Sequence, residues 1–151
     1  MEIHLISITP EPERTIEEAA RTSYLSFNRM NEKANPSFIQ MLVKNGHHSV
    51  LEHASASFRI KGLSRASTHQ LVRHRLASFT QQSQRYVDEK NYHYVTPPSI
   101  EKDPKARELF LKTMEEVKKV YIKLRTMKIR KEDARYVLPN YVESEILITA
   151  N

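Results

Sequence analysis

The first apolar run, residues 2–8 (EIHLISI), puts Ile3 and Leu5 on one face of an extended chain and Ile6 and Ile8 on the other. Such a short β-branched run, ending at Pro10, reads as a strand buried on both faces. Thr15-Ile-Glu-Glu18 has capping-box spacing, with Thr15 as cap and Glu18 reaching back, and predicts a helix to about Tyr24. Residues 25–35 are polar and irregular, a loop. Asn35-Pro36 is a cap followed by proline at the first helical position, and Gly46 is the stop. The segment FIQMLVKN between them reads as a buried helix. Residues 54–60 alternate Ala54, Ala56, Phe58 and Ile60 against Ser55, Ser57 and Arg59, a half-buried strand. Ser64 caps a helix running to His74 or Arg75, and residues 78–86 look extended. Asp103-Pro104 opens the longest helix, with Ala106, Phe110, Val117, Tyr121 and Leu124 at helical spacing. A short helix over Lys131–Leu138 stops at Pro139, and Ser144–Ala150 reads as a strand or the entry to a further element. There is no internal repeat. The mixture predicts an α+β fold, a single domain with a small mixed or antiparallel sheet flanked by helices.

Length and composition narrow the function classes. A chain of 151 residues, 39% hydrophobic, has material for one domain with one modest core. It holds no cysteine, which excludes disulfides, thiolate metal sites and a cysteine nucleophile. Its two glycines, Gly46 and Gly62, cannot build a Gly-rich phosphate loop. No apolar run approaches a membrane span and no signal peptide is visible, so the default location is the cytoplasm with no membrane partner. The chain stops at an apolar segment without a polar tail, which reads as a fold cut before completion, the single domain 1–151 being incomplete at its C-terminus.

Charge adds a direction. The net charge is +6, yet from His53 to Val87 there is no Asp or Glu, only Arg59, Lys61, Arg65, Arg73, Arg75 and Arg85. So one-sided a segment attracts anions, small phosphates or a nucleic-acid backbone, unless it is simply a solvated basic face. On a helix, Gln70 shares a face with Arg73 and His74. Successive helical residues diverge by about 100°, so Arg73 and Arg75 cannot serve one site on a regular helix. Either the helix ends there, or the two serve different parts of a long ligand or different subunits. In an extended segment Gln81, Ser83 and Arg85 point the same way, an amide, a hydroxyl and a guanidinium in a row.

The run RHRLASFTQQSQRY resembles the signature of the flavin-dependent thymidylate synthases, the ThyX family: an Arg-His-Arg triplet, a later serine, then Ser-x-Arg-Tyr. Arg73, His74, Arg75, Ser78, Ser83, Arg85 and Tyr86 fall on it. Thr80 stands where Asn is common, and Gln81 where some members have Glu. Upstream, HHSVLEH resembles a second family landmark, onto which His47, Ser49 and Glu52 fall. Downstream, DARYVLP places Arg135 in the segment whose arginine reaches the nucleotide, and Asn151 resembles the first residue of an Asn-Ala-Arg segment.

The resemblance implies conversion of dUMP to dTMP, with methylenetetrahydrofolate as carbon donor, NADPH as reductant and FAD as hydride carrier. Arg73, His74, Arg75 and Ser49 would bind FAD, with Glu52 and Asn151 at that site, His47 by the flavin ring and Arg73 also near dUMP. Gln70, Gln81, Gln82, Ser83, Gln84, Arg85 and Arg135 would hold dUMP, Arg85 chiefly through its phosphate. Without a cysteine nucleophile, cations and amides must polarise the uracil. The family's uracil-polarising arginine is expected beyond Asn151, so no catalytic residue is assigned within the chain and the chain as it stands is expected to be inactive. No metal is implied. The family assembles as a homotetramer with sites built by several subunits. Two rival readings are a basic module docking the 64–75 helix on nucleic acid, and a paralogue of this family that has lost turnover.

Overall fold

A computed structural model describes residues 1–151. Four strands, β1 (Glu2–Ile8), β2 (Ala56–Ser64), β3 (Ser78–Gln81) and β4 (Glu143–Ala150), pair in the order β1-β2-β4-β3 as an antiparallel sheet. The helices are α1 (Pro12–Thr22), α2 (Pro36–Lys44), α3 (Arg65–Leu71), α4 (Pro98–Glu101), α5 (Pro104–Thr126) and α6 (Lys131–Ala134). The α+β class therefore holds. The chain forms two compact units: Met1–Ile3, Ile60–Arg75 and Phe79–Ile146 make the first, His4–Arg59, Leu76–Ser78 and Leu147–Asn151 the second.

The first unit is built on α5. Asp103 caps it, its Oδ1 accepting from the backbone N–H of Lys105 and Ala106. Phe110, Met114 and Tyr121 recur along one stripe and are buried together with Tyr92, Val142 and Ile146. Phe110 meets Tyr94 and Tyr141 edge-on at 5.8 and 5.2 Å. Tyr121 is wholly buried, its hydroxyl accepting from the Glu89 N–H at 3.1 Å and donating to Asp88 Oδ1 at 3.4 Å. Gly62 takes φ +80°, and a Cβ there would stand 2.9 Å from the Met1 Cα.

In the second unit α1 and α2 pack on each other, and α1 packs on a 3₁₀ segment, His48–His53. Asn35 caps α2 as its position predicts, its Oδ1 accepting from the Phe38 N–H at 3.2 Å. Ser57 and Thr149, on neighbouring strands, join hydroxyls at 2.8 Å.

Several expectations need correction. β1 is a strand but not a buried one: every residue is exposed, Ile3 and Leu5 by more than half. It pairs on one side only, and an apolar run alone does not tell an edge strand from a central one. α1 begins at Pro12, after Glu11 in the left-handed region (φ 44°), not at Thr15. The Thr15 hydroxyl instead donates to the carbonyls of Pro10 and Glu11. In α2 only Leu42 is buried, while Met41 and Val43 are exposed. β4 is a strand, as one of the two sequence readings has it, and an inner one, with Ile146 fully packed.

Candidate functional site

Ser64 caps α3, its Oγ accepting from the Ser67 N–H at 3.1 Å. The helix then ends at Leu71, earlier than the sequence suggests. Turn hydrogen bonds follow, from Arg73 N–H to Gln70 C=O and from His74 N–H to Leu71 C=O. The common helical face expected for Gln70, Arg73 and His74 is therefore broken, and the helix end resolves how Arg73 and Arg75 escape helical divergence. A recognition helix carrying both arginines into a groove loses its geometry for the same reason. Arg73, His74 and Arg75 are all exposed, and none of their side chains has a hydrogen bond or an ion pair within the chain. Gln70 is exposed on the last turn of α3.

The extended run expected over 78–86 stops at Gln81. Beyond it the Ser83 C=O accepts from the N–H groups of Tyr86 and Val87, and the Ser83 Oγ from that of Arg85, a turn rather than a strand. Gln81, Ser83 and Arg85 thus do not form a row with period two. Gln81 turns inward, its Nε2 donating to Thr68 Oγ1 (2.6 Å) and Ser144 Oγ (2.9 Å). Gln82 is committed at both ends, its Nε2 donating to Glu89 Oε1 at 3.0 Å and its Oε1 accepting from the Glu145 N–H at 3.3 Å. Gln84 is buried, while Arg85 is exposed.

Guanidinium groups gather around this turn. Arg65 Nη1 donates to the Gln82 carbonyl at 3.3 Å. Burial and the nearby Arg135 push the Arg65 guanidinium below its ordinary value, against the pull of Glu89. Arg135, on the 3₁₀ turn Arg135–Val137, donates from its Nε to the Glu132 carbonyl, and its guanidinium lies 5.8 Å from the centre of the Tyr136 ring. A hydrogen bond to its own backbone holds the Glu132 carboxyl below the usual range, helped by Arg130 and Arg85. Arg65 and Arg135 are thus within electrostatic reach of each other and Arg85 within reach of Glu132, with Lys131 pinned to the Tyr86 carbonyl at 2.7 Å.

The second unit carries the other candidates. His47 and Ser49 line one cavity of about 560 Å³, together with Arg21, Tyr24, Phe38 and Met41. Glu52 lies exposed on the same 3₁₀ segment as Ser49 but does not line that cavity. Asn151 borders a different hollow, with Ile8, Ala54 and Phe58, so it is not brought to His47 and Ser49.

Residues 4–151 match the family described as thymidylate synthase complementing protein. The chain is 38% identical to the flavin-dependent thymidylate synthase of Clostridium tetani, over 100% of its own length and 70% of that protein's. With the enzyme of that name from Geobacter sulfurreducens the identity is 43%, over 100% of this chain and 68% of that one. The chain belongs to the flavin-dependent thymidylate synthase family. Its fold agrees: the crystal structure of ThyX from Helicobacter pylori with FAD and dUMP superposes with a TM-score of 0.77 at 24% identity, covering 100% of this chain and 78% of that one.

In this member of the flavin-dependent thymidylate synthase family, three features escape sequence reading. Arg65 looks like one more cation in a basic run, and only its bond to the Gln82 carbonyl ties it to the candidate turn. Glu89 carries no motif, yet it is buried and anchors Gln82. Glu17 and Arg21 have the spacing of an ordinary exposed helix pair, but both are buried, with Arg21 Nη2 3.0 Å from Glu17 Oε1.

Proposed function

We propose that this chain takes part in converting dUMP to dTMP, with methylenetetrahydrofolate as carbon donor, NADPH as reductant and FAD as cofactor, in a cytoplasmic homotetramer. Family membership supplies the reaction class. The observation that carries the site reading is the exposed Arg73-His74-Arg75 triplet just past α3, with no partner inside the chain. Unpaired guanidinium groups fit the phosphates of an anionic cofactor, because each offers a planar fork of donors.

In this reading FAD, when bound, supplies the hydride chemistry. Arg73, His74, Arg75 and Ser49 hold it, with His47 at the ring and Glu52 at the edge of that site. Arg85 and Arg135 meet the dUMP phosphate, helped by Ser83. Gln70, Gln81 and Gln84 complete the nucleotide site, Gln81 through its carbonyl, since its Nε2 is already engaged. Gln82 acts mainly by fixing the turn, because both ends of its amide are used within the chain. None of the 151 residues is a cysteine, so ring activation here rests on cations and hydrogen-bond donors aimed at the uracil carbonyls.

The test is direct. FAD is titrated into the apo-protein, and flavin absorbance is followed through gel filtration. Tritium release from labelled dUMP is then assayed with all co-substrates. Flavin eluting with an oligomer supports the reading. A folded protein that elutes colourless at saturating FAD refutes it.

A further inference from the structure

The Glu17–Arg21 pair in the second unit is too deeply set to be a surface ion pair. Glu17 is 1% exposed and Arg21 8%. Arg21 Nε and Nη2 both donate to Glu17 Oε1, at 3.2 and 3.0 Å. Glu17 Oε2 accepts from the Asn35 N–H at 2.7 Å, at the cap of α2. The Arg21 guanidinium lies 3.8 Å from the centre of the Phe38 ring, in the first turn of that helix. One carboxylate thus locks the guanidinium from below and an aromatic face fixes its plane. Burying two charges in this way is unfavourable, and removing either alone leaves the other stranded.

The remaining nitrogen, Arg21 Nη1, has no acceptor in the chain, and Arg21 lines the cavity of about 560 Å³. That volume lies within the range of small-ligand sites, roughly 300–1,000 Å³. Tyr24, Phe38 and His47 offer aromatic walls and Ser49 a hydroxyl, and no carboxylate borders the space. A rigid cationic donor on an aromatic wall suits a flat ring with an oxygen on its edge.

We propose that Arg21 is a ligand-binding residue whose Nη1 donates to an edge oxygen of a fused heteroaromatic ring seated in this cavity. The inference rests on the function proposed above, which offers two sources of such a ring: the isoalloxazine of FAD and the pterin of the folate. Glu17, Asn35 and Phe38 act through Arg21 and are positioning residues.

The experiment measures binding of FAD, folic acid and dUMP to wild type, Arg21→Lys and Ser23→Trp. Lysine keeps the charge and can still reach Glu17, but it cannot serve the carboxylate and the cavity together. Ser23 is exposed on the cavity rim, so tryptophan fills the space without touching the ion pair. Both variants should weaken whichever ring ligand occupies the cavity by about tenfold to a hundredfold, the range for a charge-assisted bond. The other ring ligand and dUMP should bind as in wild type. A purely structural role would lower the melting temperature and weaken all three ligands together, which overturns the proposal. So does unchanged affinity for FAD and folic acid in the folded variants. If Arg21→Lys fails to fold, Ser23→Trp decides by the same criterion. Wild type that binds neither FAD nor folic acid refutes the proposed function itself, and this inference with it.

Discussion

Gln82 and Glu89 hold one another across the turn that carries Ser83 and Arg85, Nε2 to Oε1 at 3.0 Å. Glu89 is 4% exposed, and burial pushes its carboxyl above the ordinary value of 4.5, a push that Gln82 and Arg65 only partly offset and Asp88 reinforces. The folded state therefore holds the Glu89 proton more tightly than the unfolded chain does. Its contribution to stability is fully present below 4.5 and fades as pH rises through the raised folded value. Glu89→Gln removes this dependence while keeping an acceptor for Gln82. On moving from about pH 4 to about pH 7, wild type should lose stability relative to the variant, read from urea midpoints at each pH. A difference that stays constant with pH would refute the assignment.

Tyr121→Phe deletes one oxygen from a wholly buried ring and orphans the Glu89 N–H. The expected loss is about 1–3 kcal/mol, the cost of a buried donor left unpaired. Thermal unfolding followed by near-UV circular dichroism measures it.

Asn35→Ala removes the side-chain acceptor that caps α2. Losing such a cap costs about 0.5–2 kcal/mol. Asn35→Ser, which keeps an acceptor, should recover most of it in the same denaturant titration. Neither change removes the Asn35 backbone N–H bonded to Glu17, so the Arg21 site should persist in both.

Arg85→Gln tests the nucleotide assignment. Glutamine cannot make the charge-assisted bond to the phosphate, so dUMP should bind about tenfold to a hundredfold more weakly while FAD affinity stays put. Isothermal titration distinguishes the two. Equal losses for both ligands would remove Arg85 from the nucleotide site.

Much of this fold is legible locally. The caps at Asn35, Ser64 and Asp103 lie where side-chain chemistry puts them, because each needs only a short stretch of sequence. The stripe through Phe110 and Tyr121 follows from helical period. What sequence hides is set by neighbours far along the chain. β1 looks buried because nothing in EIHLISI says that it pairs on one side only. The end of α3 at Leu71 is likewise invisible, since RHR is compatible with helix. The family signature marks the triplet and the Ser83–Arg85 turn. It does not mark Arg65 or Glu89, whose partners Gln82 and Tyr121 lie 17 and 32 positions away. Nor does it mark Arg21, whose setting depends on the Phe38 ring of another helix.

Between Leu71 and Ser78 the main chain belongs to neither helix nor strand, and its only regular features are the turn bonds that follow α3, at Arg73 and His74 among them. Holding a residue in one backbone conformation takes about 1–2 kcal/mol of conformational entropy. In the role proposed for Arg73 and Arg75, any ordering of this segment on binding would draw on the attraction between arginine and phosphate, and stiffening the segment beforehand should lengthen the ligand's residence.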